Sequence, residues 1–428
     1  MKIAFISPEY YDVAHFGVKR KEIPPFGVLY LASVAEEMGI NVVLYRVSSE
    51  EACIDVFDCD LVCFSIPSSV VYPLIKNVRK NLRIKQGTLL VAGGIHATIY
   101  PKNVLEDLDI NIVCIGEGED TLREIILNLA TRTFSNISGI LYKQGNNYVK
   151  TNLRALIANL DELPFPARHL MPLDDIVMSE RLSNTNLKIV HLLCSRGCPY
   201  RCYFCANQEH SIRYRTGENI RNELEFLVEK YRIEGFCITD DNFIIDKNRI
   251  KNICHEIAPL GLKWSSLSRV DTVDLEILRC IKNSGCLELK YGVESGSQRM
   301  LNLMNKDITV EQIRNAINIT YEIGIKIKAF IIHGFPGENI ESTKETINLL
   351  EELKYKIERI SLFRFAPLPG SYIYKNHEKF NVTLPDNLKD VHIYNNSKKW
   401  WGSKEEQKEV CDAYYLIEDY IKSHWDRF

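Results

Sequence analysis

Residues 194–205 read CSRGCPYRCYFC and place four of the chain's 13 cysteines within one short stretch. Three of them, Cys198, Cys202 and Cys205, have the spacing C-x3-C-x2-C, and thiolates this close in one loop can converge on a single iron–sulfur cluster or metal ion. The alternative is a structural zinc site that also uses Cys194. Two features favour the cluster: the paired C-x2-C knuckles typical of zinc sites are missing, and Cys194 continues an apolar strand.

The segment that leads into the cysteines, Ile189–Leu193, is the first of six apolar strand patterns in the second half of the chain. The other five are Gly235–Thr239, Lys263–Ser266, Leu287–Tyr291, Lys326–Ile332 and Arg359–Arg364. Helical patterns lie between them, and the clearest one, 309–323, has Thr309 as its expected N-cap. Six βα units indicate a TIM-like barrel or most of one, a partial (β/α)6 barrel over residues 186–370, with its functional residues at the carboxyl ends of the strands.

Chemically distinctive residues follow each of these six strands. They are the cysteine loop, Asp240 and Asp241, Arg269, the stretch Gly292–Ser295, the stretch His333–Glu338, and Phe365. Because the strands are assigned from periodicity alone, the position of these residues is independent support for one site at one end of the barrel.

The first 150 residues predict a separate α/β domain. The expected strands are Ile3–Ser7, Val42–Tyr45, Leu61–Ser65, Leu89–Ala92 and Ile112–Ile115, and the expected helices are Val28–Met38, 70–80 and Thr121–Leu129. This alternation favours a doubly wound, Rossmann-like parallel sheet, whose ligands bind beyond the carboxyl ends of the strands. No G-x-G-x-x-G follows the first strand, so a dinucleotide site of that type is not expected.

Three further segments complete the chain. A hairpin is predicted near 137–150, and residues 151–185 are expected to form an ordered linker, because prolines interrupt the periodicity while apolar anchors remain. Residues 371–428 predict a C-terminal segment with a helix near 404–421. Trp400 and Trp401 are expected to pack this segment onto the barrel.

The charge balance restricts the partners of the protein. The 428 residues include 53 Lys and Arg against 56 Asp and Glu, a net charge of −3, which argues against nucleic acid or an anionic membrane surface as a partner. No apolar run of about 18 residues occurs, and the first apolar stretch is too short for a signal peptide. A cytoplasmic location is therefore expected.

The cysteine loop resembles that of the radical S-adenosylmethionine (SAM) superfamily in its C-x3-C-x2-C spacing, in Phe204 before the last cysteine, and in its place after the first barrel strand. The resemblance implies that Cys198, Cys202 and Cys205 hold a [4Fe-4S] cluster and that SAM chelates its fourth iron. It also implies reductive cleavage of SAM to methionine and a 5′-deoxyadenosyl radical that abstracts hydrogen from an unactivated position. The protein would hold and orient these groups and exclude water.

The same resemblance indicates residues that contact SAM. GVESGS (292–297) is similar to the family's segment for the methionine amino group, and a carboxylate such as that of Glu294 can accept hydrogen bonds from an ammonium. HGFPGE (333–338) resembles the glycine-containing segment that passes near the adenine. The expected SAM-binding residues are Phe204, Arg269, Gly292, Glu294, Ser295, His333 and Phe365. A surface ion pair is the competing interpretation for Arg269, and core packing is the competing one for Phe365.

Catalytic candidates lie close to the cysteine loop in the sequence or follow the second strand. Asp240 and Asp241 are candidates for substrate binding or proton handling, and equally for capping the segment that follows them. Arg213 and Arg215, with Tyr214 between them, come just after the cysteine loop and are candidates for substrate contact.

The N-terminal half resembles the cobalamin-binding domain that is fused to some radical SAM enzymes. The similarity lies in PPFGVLYLASVAEEMG (24–39), GGIHAT (93–98) and GEGED (116–120), and the implied cobalamin-binding residues are Ser7, Ser65, Gly93, Gly94, His96, Gly116, Glu117 and Gly118. Gly93 and Gly94 are expected to let the backbone approach the corrin or its nucleotide tail closely. His96 is interpreted equally well as a hydrogen-bonding residue that precedes a helix.

One feature departs from the cobalamin-binding pattern. Domains of the methionine-synthase type carry D-x-H-x-x-G, whose histidine ligates cobalt, whereas the segment 12–17 of this chain, DVAHFG, has the wrong spacing. Either cobalamin binds without a histidine ligand, or the domain keeps its shape and has lost the cofactor.

The resemblance as a whole, over residues 1–370, implies a cobalamin-dependent radical SAM methyltransferase that acts on an unactivated carbon or phosphorus centre. The alternative enzyme is a non-methylating one, for cyclisation, ring contraction or dehydration, with cobalamin as a redox partner or absent. The expected partners are a small-molecule or natural-product substrate and a one-electron donor such as flavodoxin or ferredoxin.

Overall fold

The computed structural model describes residues 1–9, 12–13, 19–20, 23–182, 185–386, 388, 391 and 399–425. The chain divides into two compact units. The first comprises the described residues of 1–12, 19–176 and 387–390, and the second comprises those of 13–18, 177–386 and 391–428.

The first unit is built on a seven-stranded sheet. Its strands are β1 (Lys2–Pro8), β2 (Asn41–Val47), β3 (Leu61–Ser65), β4 (Leu89–Gly93), β5 (Ile112–Cys114), β6 (Ile140–Gln144) and β7 (Asn147–Lys150). The order is β2-β1-β3-β4-β5-β6-β7, with β1 to β5 parallel and β6 and β7 antiparallel. This is the doubly wound order in which a ligand crevice opens between the carboxyl ends of β1 and β3.

Helices and short connections cover this sheet. The helices are α1 (Phe26–Glu37), α2 (Tyr72–Lys80), α3 (Ile95–Ile99), α4 (Pro101–Asp107), α5 (Glu119–Leu127) and α6 (Leu173–Ile176), with 3-10 turns at Ser69–Val71, Leu160–Glu162 and Arg168–Leu170 and two-residue strands at Ile54–Asp55 and Leu82–Arg83. A separate pair of two-residue strands is formed by Asp12–Val13 and Lys19–Arg20. A proline in the first turn of both α2 and α4 fits the start of a helix, where its missing N–H has no partner to lose. Two apolar cores lie on the two faces of the sheet.

The described residues of the segment expected as a linker divide between the two units. Its first part packs on the first unit, where the Ala167 N–H donates to the Leu29 carbonyl (3.0 Å) and the Ile157 N–H donates to the Glu117 carboxylate (2.8 Å). Its last part forms a strand of the second sheet. The apolar anchors in the proline-rich stretch thus contribute to the folded units.

The second unit contains a curled sheet of seven strands. They are β8 (Met178–Leu182), β9 (Thr185–Leu192), β10 (Gly235–Ile238), β11 (Lys263–Ser268), β12 (Cys286–Glu294), β13 (Lys326–His333) and β14 (Arg359–Arg364), hydrogen-bonded in chain order. All neighbours from β9 to β14 are parallel, and β8 is antiparallel to β9. With the first unit, this half-barrel confirms the predicted fold class, a doubly wound domain followed by a partial (β/α)6 barrel.

Helices follow the strands of the half-barrel. They are α7 (Gly217–Tyr231), α8 (Lys247–Ile257), α9 (Leu275–Asn283), α10 (Gln298–Leu303), α11 (Val310–Glu322), α12 (Ile340–Leu353), α13 (Tyr372–Lys375) and α14 (Lys404–His424), with 3-10 turns at Ala258–Leu260, Val270–Thr272 and His377–Phe380 and a small strand pair Ser195–Arg196 and Arg213–Tyr214. Thr309 caps α11, as the sequence predicts, and the structure adds a capping box with Gln312.

Side-chain contacts separate the two faces of the half-barrel. The Tyr291 hydroxyl bonds to Thr320 of α11 and the His333 ring bonds to Thr343 of α12, so these residues lie on the helix-covered face. On the other face, the Lys290 ammonium contacts the Cys237 sulfur at 3.1 Å across the sheet. Because strand residues alternate between faces, residues two apart along each strand share a face.

The C-terminal segment packs on the half-barrel through its tryptophans. The Trp401 indole N–H donates to the Gly334 carbonyl (2.8 Å), the Trp425 indole N–H donates to the Ile357 carbonyl (2.9 Å), and Trp400 is buried. None of the helices in the described part of the chain combines the length and apolar character needed to span a bilayer.

Candidate active site

Cys194 and the other three loop cysteines occupy different surroundings. Cys194 is fully buried, and the charged groups that act on its thiol are Asp240, Arg215, Arg249 and Glu223. The thiols of Cys198, Cys202 and Cys205 instead lie close enough to influence one another's ionisation. The structure therefore groups three cysteines and sets the fourth apart.

Backbone contacts hold the loop that carries the three cysteines. The Cys198 N–H donates to the Glu209 carbonyl (3.0 Å), and the Tyr203 N–H donates to the Met304 carbonyl (2.9 Å). The turn that begins the loop requires glycine at 197, where φ is +89° and a Cβ would lie 2.5 Å from the Ser211 carbonyl oxygen. The loop is thus anchored at both ends by atoms outside it.

Two donors reach the sulfur atoms of this loop. The Asn207 N–H lies 3.4 Å from the Cys205 sulfur, and the Arg269 guanidinium lies 3.9 Å from the Cys202 sulfur. Hydrogen bonds to the cysteine sulfurs help to set the reduction potential of an iron–sulfur cluster. A donor set of three free thiols with such neighbours fits the cluster that the sequence predicts.

A structural zinc site makes a stricter demand on the positions of the sulfur atoms. Zinc bound by four thiolates needs every sulfur at about 2.3 Å from one point. Within the described residues, no three His, Cys, Asp or Glu side chains are arranged to hold a single metal ion. An iron–sulfur cluster spreads its thiolate ligands over several irons, and so it tolerates sulfurs that are farther apart.

Asp240 binds the end of the first barrel strand. Its carboxylate accepts hydrogen bonds from the Cys194 N–H (2.7 Å) and the Ser195 hydroxyl (2.5 Å). Burial raises the pKa of Asp240 to about 6, against the lowering effect of the Ser195 hydrogen bond. Burial also raises the pKa of Asp241, whose charge acts on the Cys198 thiol. Of the two carboxyls, Asp241 is therefore the one that acts on a cysteine of the three-thiol loop.

The two arginines after the cysteine loop differ in their contacts. Arg215 forms a buried ion pair with Glu223 (2.6 Å) and also donates to the Leu193 carbonyl (2.9 Å). Arg213 pairs by its backbone with Arg196 in the small strand pair. The structure thus places the Arg215 charge inside the protein, between β9 and α7.

Glu294 stands at an irregular point of the fourth parallel strand. The register between β12 and β13 shifts between Gly292 and Glu294, and Glu294 has φ of +65°, which is rare for a residue with a side chain. Its carboxylate accepts from the Lys306 ammonium at 2.7 Å, and both side chains are more than nine-tenths buried. A Cβ at Gly292 would lie 2.5 Å from the Glu294 carboxylate. Such local strain is typical of binding sites.

Arg269 lies between the cysteine loop and this glutamate–lysine pair. Its guanidinium stacks over the Tyr200 ring (3.6 Å to the centroid), pairs with Asp271 at 2.9 Å and donates to the Lys306 carbonyl (2.8 Å). Phe204, in the loop, lies 5.9 Å from the Lys306 ammonium. The structure therefore brings together Phe204, Arg269, Gly292 and Glu294 near the three cysteines.

The other residues expected to contact SAM have internal partners. Ser295 bonds to Thr346 (3.1 Å), and the His333 ring bonds to Thr343 (2.9 Å). Burial lowers the pKa of His333 to about 3, so the ring is neutral. Phe365 packs against the Phe335 ring, 5.2 Å between centroids.

In the first unit, Ser7 and Ser65 lie at the carboxyl ends of β1 and β3, at the crevice of the doubly wound sheet. The Ser7 hydroxyl is buried and has no hydrogen-bond partner among the described residues. A buried polar group without a partner is uncommon in a folded protein. This hydroxyl therefore fits a ligand that binds at the crevice. Residues 14–17 of the DVAHFG segment lie outside the described residues.

The close approach at Gly94 is to the chain itself. Gly94 has φ of +107°, and a Cβ there would lie 2.6 Å from the Ile66 carbonyl oxygen. A Cβ at Gly93 would make only ordinary contact with Cys114, at 3.6 Å. Gly94 is thus required by the packing of two loops, whatever binds beyond them.

His96 is buried between two aromatic rings. Its Nδ1 bonds to the Ser69 hydroxyl (2.8 Å), the rings of Tyr72 and Tyr100 lie 4.2 and 5.1 Å away, and Nε2 has no hydrogen-bond partner among the described residues. Burial lowers the pKa of His96 to about 4, so the imidazole is neutral.

The GEGED stretch also makes internal contacts. The Gly116 N–H donates to the Thr98 hydroxyl (3.0 Å), and the Glu117 carboxylate accepts from the Ile157 N–H. A Cβ at Gly118 would lie 3.1 Å from the Leu31 side chain.

Two buried polar residues of the second unit are not found by the sequence analysis. Lys306 lies in no recognisable motif, and it contacts Glu294 because the chain just after α10 returns to the end of β12. Asn242 is 1% exposed, and both polar atoms of its amide lack hydrogen-bond partners among the described residues. Its position directly after Asp240 and Asp241 is the one signal in the sequence that points to it.

Two family models match separate parts of the chain. The model of the radical SAM superfamily matches residues 192–350, and the model of the B12 binding domain matches residues 16–126. The chain therefore contains a B12-binding domain followed by a radical SAM domain.

Individual relatives share most of its length. An uncharacterized methyltransferase of Pyrococcus horikoshii is 28% identical over 377 residues, which are 85% of this chain and 80% of the relative. An anaerobic magnesium-protoporphyrin IX monomethyl ester cyclase of Cereibacter sphaeroides is 25% identical over 422 residues, 90% of this chain and 66% of the relative. The solved structure of the cobalamin-dependent SAM radical enzyme OxsB, with aqua-cobalamin and SAM bound, has a TM-score of 0.76 at 17% identity and covers 97% of this chain and 66% of its own, so the fold is shared.

Proposed function

We propose that this protein is a cobalamin-dependent radical SAM methyltransferase that methylates an unactivated carbon or phosphorus centre of a small molecule. The observation that carries the proposal is the grouping of Cys198, Cys202 and Cys205 on one loop, apart from Cys194 and next to the buried Glu294–Lys306 pair. The relative named as a methyltransferase, which matches 85% of the chain, supports the choice of reaction.

Three thiolates suit a four-iron cluster that must keep one iron open. Catalytic metal sites differ from structural ones in that the protein leaves one coordination position empty, and another molecule can bind there. We assign Cys198, Cys202 and Cys205 as the cluster ligands, with the Asn207 N–H and Arg269 as donors to their sulfurs.

Glu294 is the residue that we assign to the methionine amino group of SAM. Its carboxylate already accepts from one ammonium, that of Lys306, so the position suits a second cationic donor. Lys306 and Arg269 supply two positive charges beside this carboxylate, which suit the methionine carboxylate of the same ligand.

In the first unit, we assign the crevice between β1 and β3 to cobalamin, with Ser7 and Ser65 at its edge. The unpartnered hydroxyl of Ser7 fits this role. His96 has its Nδ1 committed to Ser69 and its ring enclosed by tyrosines, so we assign it to packing of the loop and propose that no histidine of β4–α3 ligates cobalt. Bound at these residues, a cluster would supply the electron for SAM cleavage and cobalamin would supply the methyl group.

A second candidate function is favoured by one observation. The relative named as a protoporphyrin ester cyclase matches 90% of this chain, against 85% for the methyltransferase relative. A non-methylating reaction would use the same cysteine loop and the same Glu294. Either reaction needs a small-molecule substrate and a one-electron donor, for which we propose flavodoxin or ferredoxin.

Anaerobically reconstituted full-length protein tests the proposal. With dithionite and SAM it should produce 5′-deoxyadenosine, measured by mass spectrometry, and it should bind about four irons. Cys198→Ala should abolish both, whereas Cys53→Ala, which alters an exposed cysteine of the first unit, should change neither. Protein that carries four irons and makes no 5′-deoxyadenosine contradicts the radical SAM assignment.

Cobalt analysis separates the two reactions. Protein produced with ample cobalamin should contain cobalt in proportion to protein if it methylates through this cofactor. Absence of cobalt, together with normal cleavage of SAM, would place the non-methylating reaction first.

A further inference from the structure

One surface of the second unit is formed by the cysteine loop and by the chain that follows the half-barrel. The Ile373 N–H donates to the Tyr203 carbonyl (3.1 Å), and the rings of Tyr203 and Tyr372 stack with 4.2 Å between their centroids. Residues 199–203 together with residues 372–380 are called the loop face below. These contacts fix the two segments of the loop face against each other.

The loop face carries unpaired positive charge. Arg201, Lys375 and Lys379 are exposed, and within the described part of the chain none of them forms an ion pair. The Lys375 ammonium donates instead to the Gln208 side chain (3.3 Å), which keeps this charge beside the cysteine loop. Glu378 is the one acid in the two segments, so cations exceed acids by two when histidine is counted as neutral.

Other surface cations of the second unit have carboxylate partners. Examples of such pairs are Lys247–Asp274, Lys251–Glu276 and Arg314–Glu352, with distances of 2.5, 2.6 and 2.9 Å. The whole chain has a net charge of −3, so the loop face has the opposite sign to the molecule. A surface of unpaired cations attracts an acidic partner and accelerates its association.

The loop face includes part of the site that we assign to the cluster. Cys202, one of the three assigned thiol ligands, stands in the chain between Arg201 and Tyr203. The Arg201 carbonyl accepts from the Asn305 side chain (2.9 Å), so this part of the loop is anchored from behind. A protein that binds the loop face therefore contacts the loop to which a reductant has to deliver its electron.

We propose that the loop face docks the one-electron donor, and that the donor is a small acidic carrier protein. The inference rests on the proposed function, since a cluster on this loop is what requires a reductant. Arg201, Lys375 and Lys379 pair with carboxylates of the donor, and the Tyr372 ring, 41% exposed, supplies the apolar centre of the contact. Two short segments form a small surface, which suits the transient interfaces of electron carriers, below about 1,200 Å².

Direct binding of an acidic flavodoxin to reconstituted, full-length protein tests the proposal. The loop-face variant combines Arg201→Gln, Lys375→Gln and Lys379→Gln, and at an ionic strength of about 0.01 M it should bind flavodoxin about tenfold more weakly than wild type in microscale thermophoresis. Most of this difference should vanish at about 0.15 M, because the Debye length falls from about 30 to about 8 Å. Glu378→Gln removes the acid of the same surface and should strengthen binding.

A control variant changes the same residue types at the opposite end of the half-barrel. Arg232, Lys263 and Lys326 are exposed, and they lie at or just before the amino ends of β10, β11 and β13. Replacing all three by Gln removes the same net charge and should change flavodoxin binding less than about twofold, since these charges are remote from the contact.

The source of electrons separates this proposal from the proposed function. With dithionite, a small reductant that needs no docking surface, the loop-face variant should produce 5′-deoxyadenosine about as fast as wild type. With a sub-saturating concentration of reduced flavodoxin it should be about tenfold slower, in line with its weaker binding.

Four results overturn the proposal. They are no saturable binding of flavodoxin to wild type, equal binding to wild type and the loop-face variant, equal weakening in the control variant, and a random-sequence RNA oligonucleotide that binds as tightly as flavodoxin, since the loop face would then accept any polyanion. Wild type that binds flavodoxin through these residues and makes no 5′-deoxyadenosine with dithionite counts against the proposed function alone.

Discussion

The ion pair between Arg215 and Glu223 permits a quantitative test of the second unit. Arg215 comes from the chain just past the cysteine loop and Glu223 from helix α7, and their side chains are 4% and 1% exposed. Arg215 also donates to the Leu193 carbonyl and to the Asn219 side chain (2.6 Å). The pair therefore ties the end of strand β9, where the cysteine loop begins, to α7.

Removing one partner leaves the other charge buried without compensation. Measured costs of breaking such pairs are about 3–5 kcal/mol, whereas exposed pairs are worth about 0–1 kcal/mol. For a unit of about 150–250 residues, 1 kcal/mol shifts Tm by about 2–4 °C, so Glu223→Ala should lower Tm by about 6–20 °C. The exposed pair Arg314–Glu352, with side chains 36% and 47% exposed, is the matched control, and Glu352→Ala should lower Tm by less than about 4 °C.

Differential scanning calorimetry of the full-length variants measures both shifts. Replacing both partners, Arg215→Leu with Glu223→Leu, should recover most of the loss, because no charge then remains buried. If Glu223→Ala unfolds no earlier than Glu352→Ala, Arg215 is not held by this pair and its assignment to a structural role is wrong. Arg215 would then return to the candidates for substrate contact.

Three further outcomes are expected. Cys194→Ala should keep the iron, sulfide and visible absorption of the reconstituted protein, whereas Cys198→Ala should lose them; equal loss in both would show that the cluster uses four cysteines. Gly94→Ala should lower the Tm of the first unit far more than Gly93→Ala, because only the first change places a Cβ 2.6 Å from a carbonyl oxygen and at positive φ. Similar Tm shifts in the two variants would contradict this explanation. Burial raises the pKa of Glu338 to about 7, so this carboxyl binds its proton more tightly in the folded protein than in the unfolded chain. The free energy of unfolding should therefore fall as pH rises from about 4.5 to 7 and level off above. Glu338→Gln, compared with wild type by calorimetry across this range, should remove that part of the pH dependence.

Much of the fold follows from local patterns in the sequence. The six barrel strands are predicted to within a few residues, since apolar periodicity along a strand depends on the residues of that strand alone. The N-cap of α11 is predicted for the same reason, because Thr309 stands at the start of the helical pattern that it caps. Cysteine spacing is equally local, and so the loop that we assign to a cluster is recognisable without any tertiary contact.

The tertiary structure decides which charged groups meet. Arg215 and Asp240 look like candidates for chemistry in the sequence, yet the fold gives Arg215 a buried carboxylate partner and gives Asp240 the backbone of Cys194. Lys306 has no motif around it and becomes the partner of Glu294 only in three dimensions. Long-range ion pairs of this kind depend on how distant elements pack, and no local pattern encodes that.

The orientation of residues at strand ends is also a property of the folded sheet. His333 ends β13 and Phe365 directly follows β14, and the resemblance assigns both to SAM. Strand alternation and the covering helices nevertheless direct the His333 ring to Thr343 of α12. Gly94 is a similar case. The sequence shows the glycine, but the atom that requires it, the Ile66 carbonyl oxygen, lies in another loop. Composition, periodicity and motif spacing thus determine the class and the elements of this protein, whereas the partners of its buried polar groups are set by contacts that form only when the chain has folded.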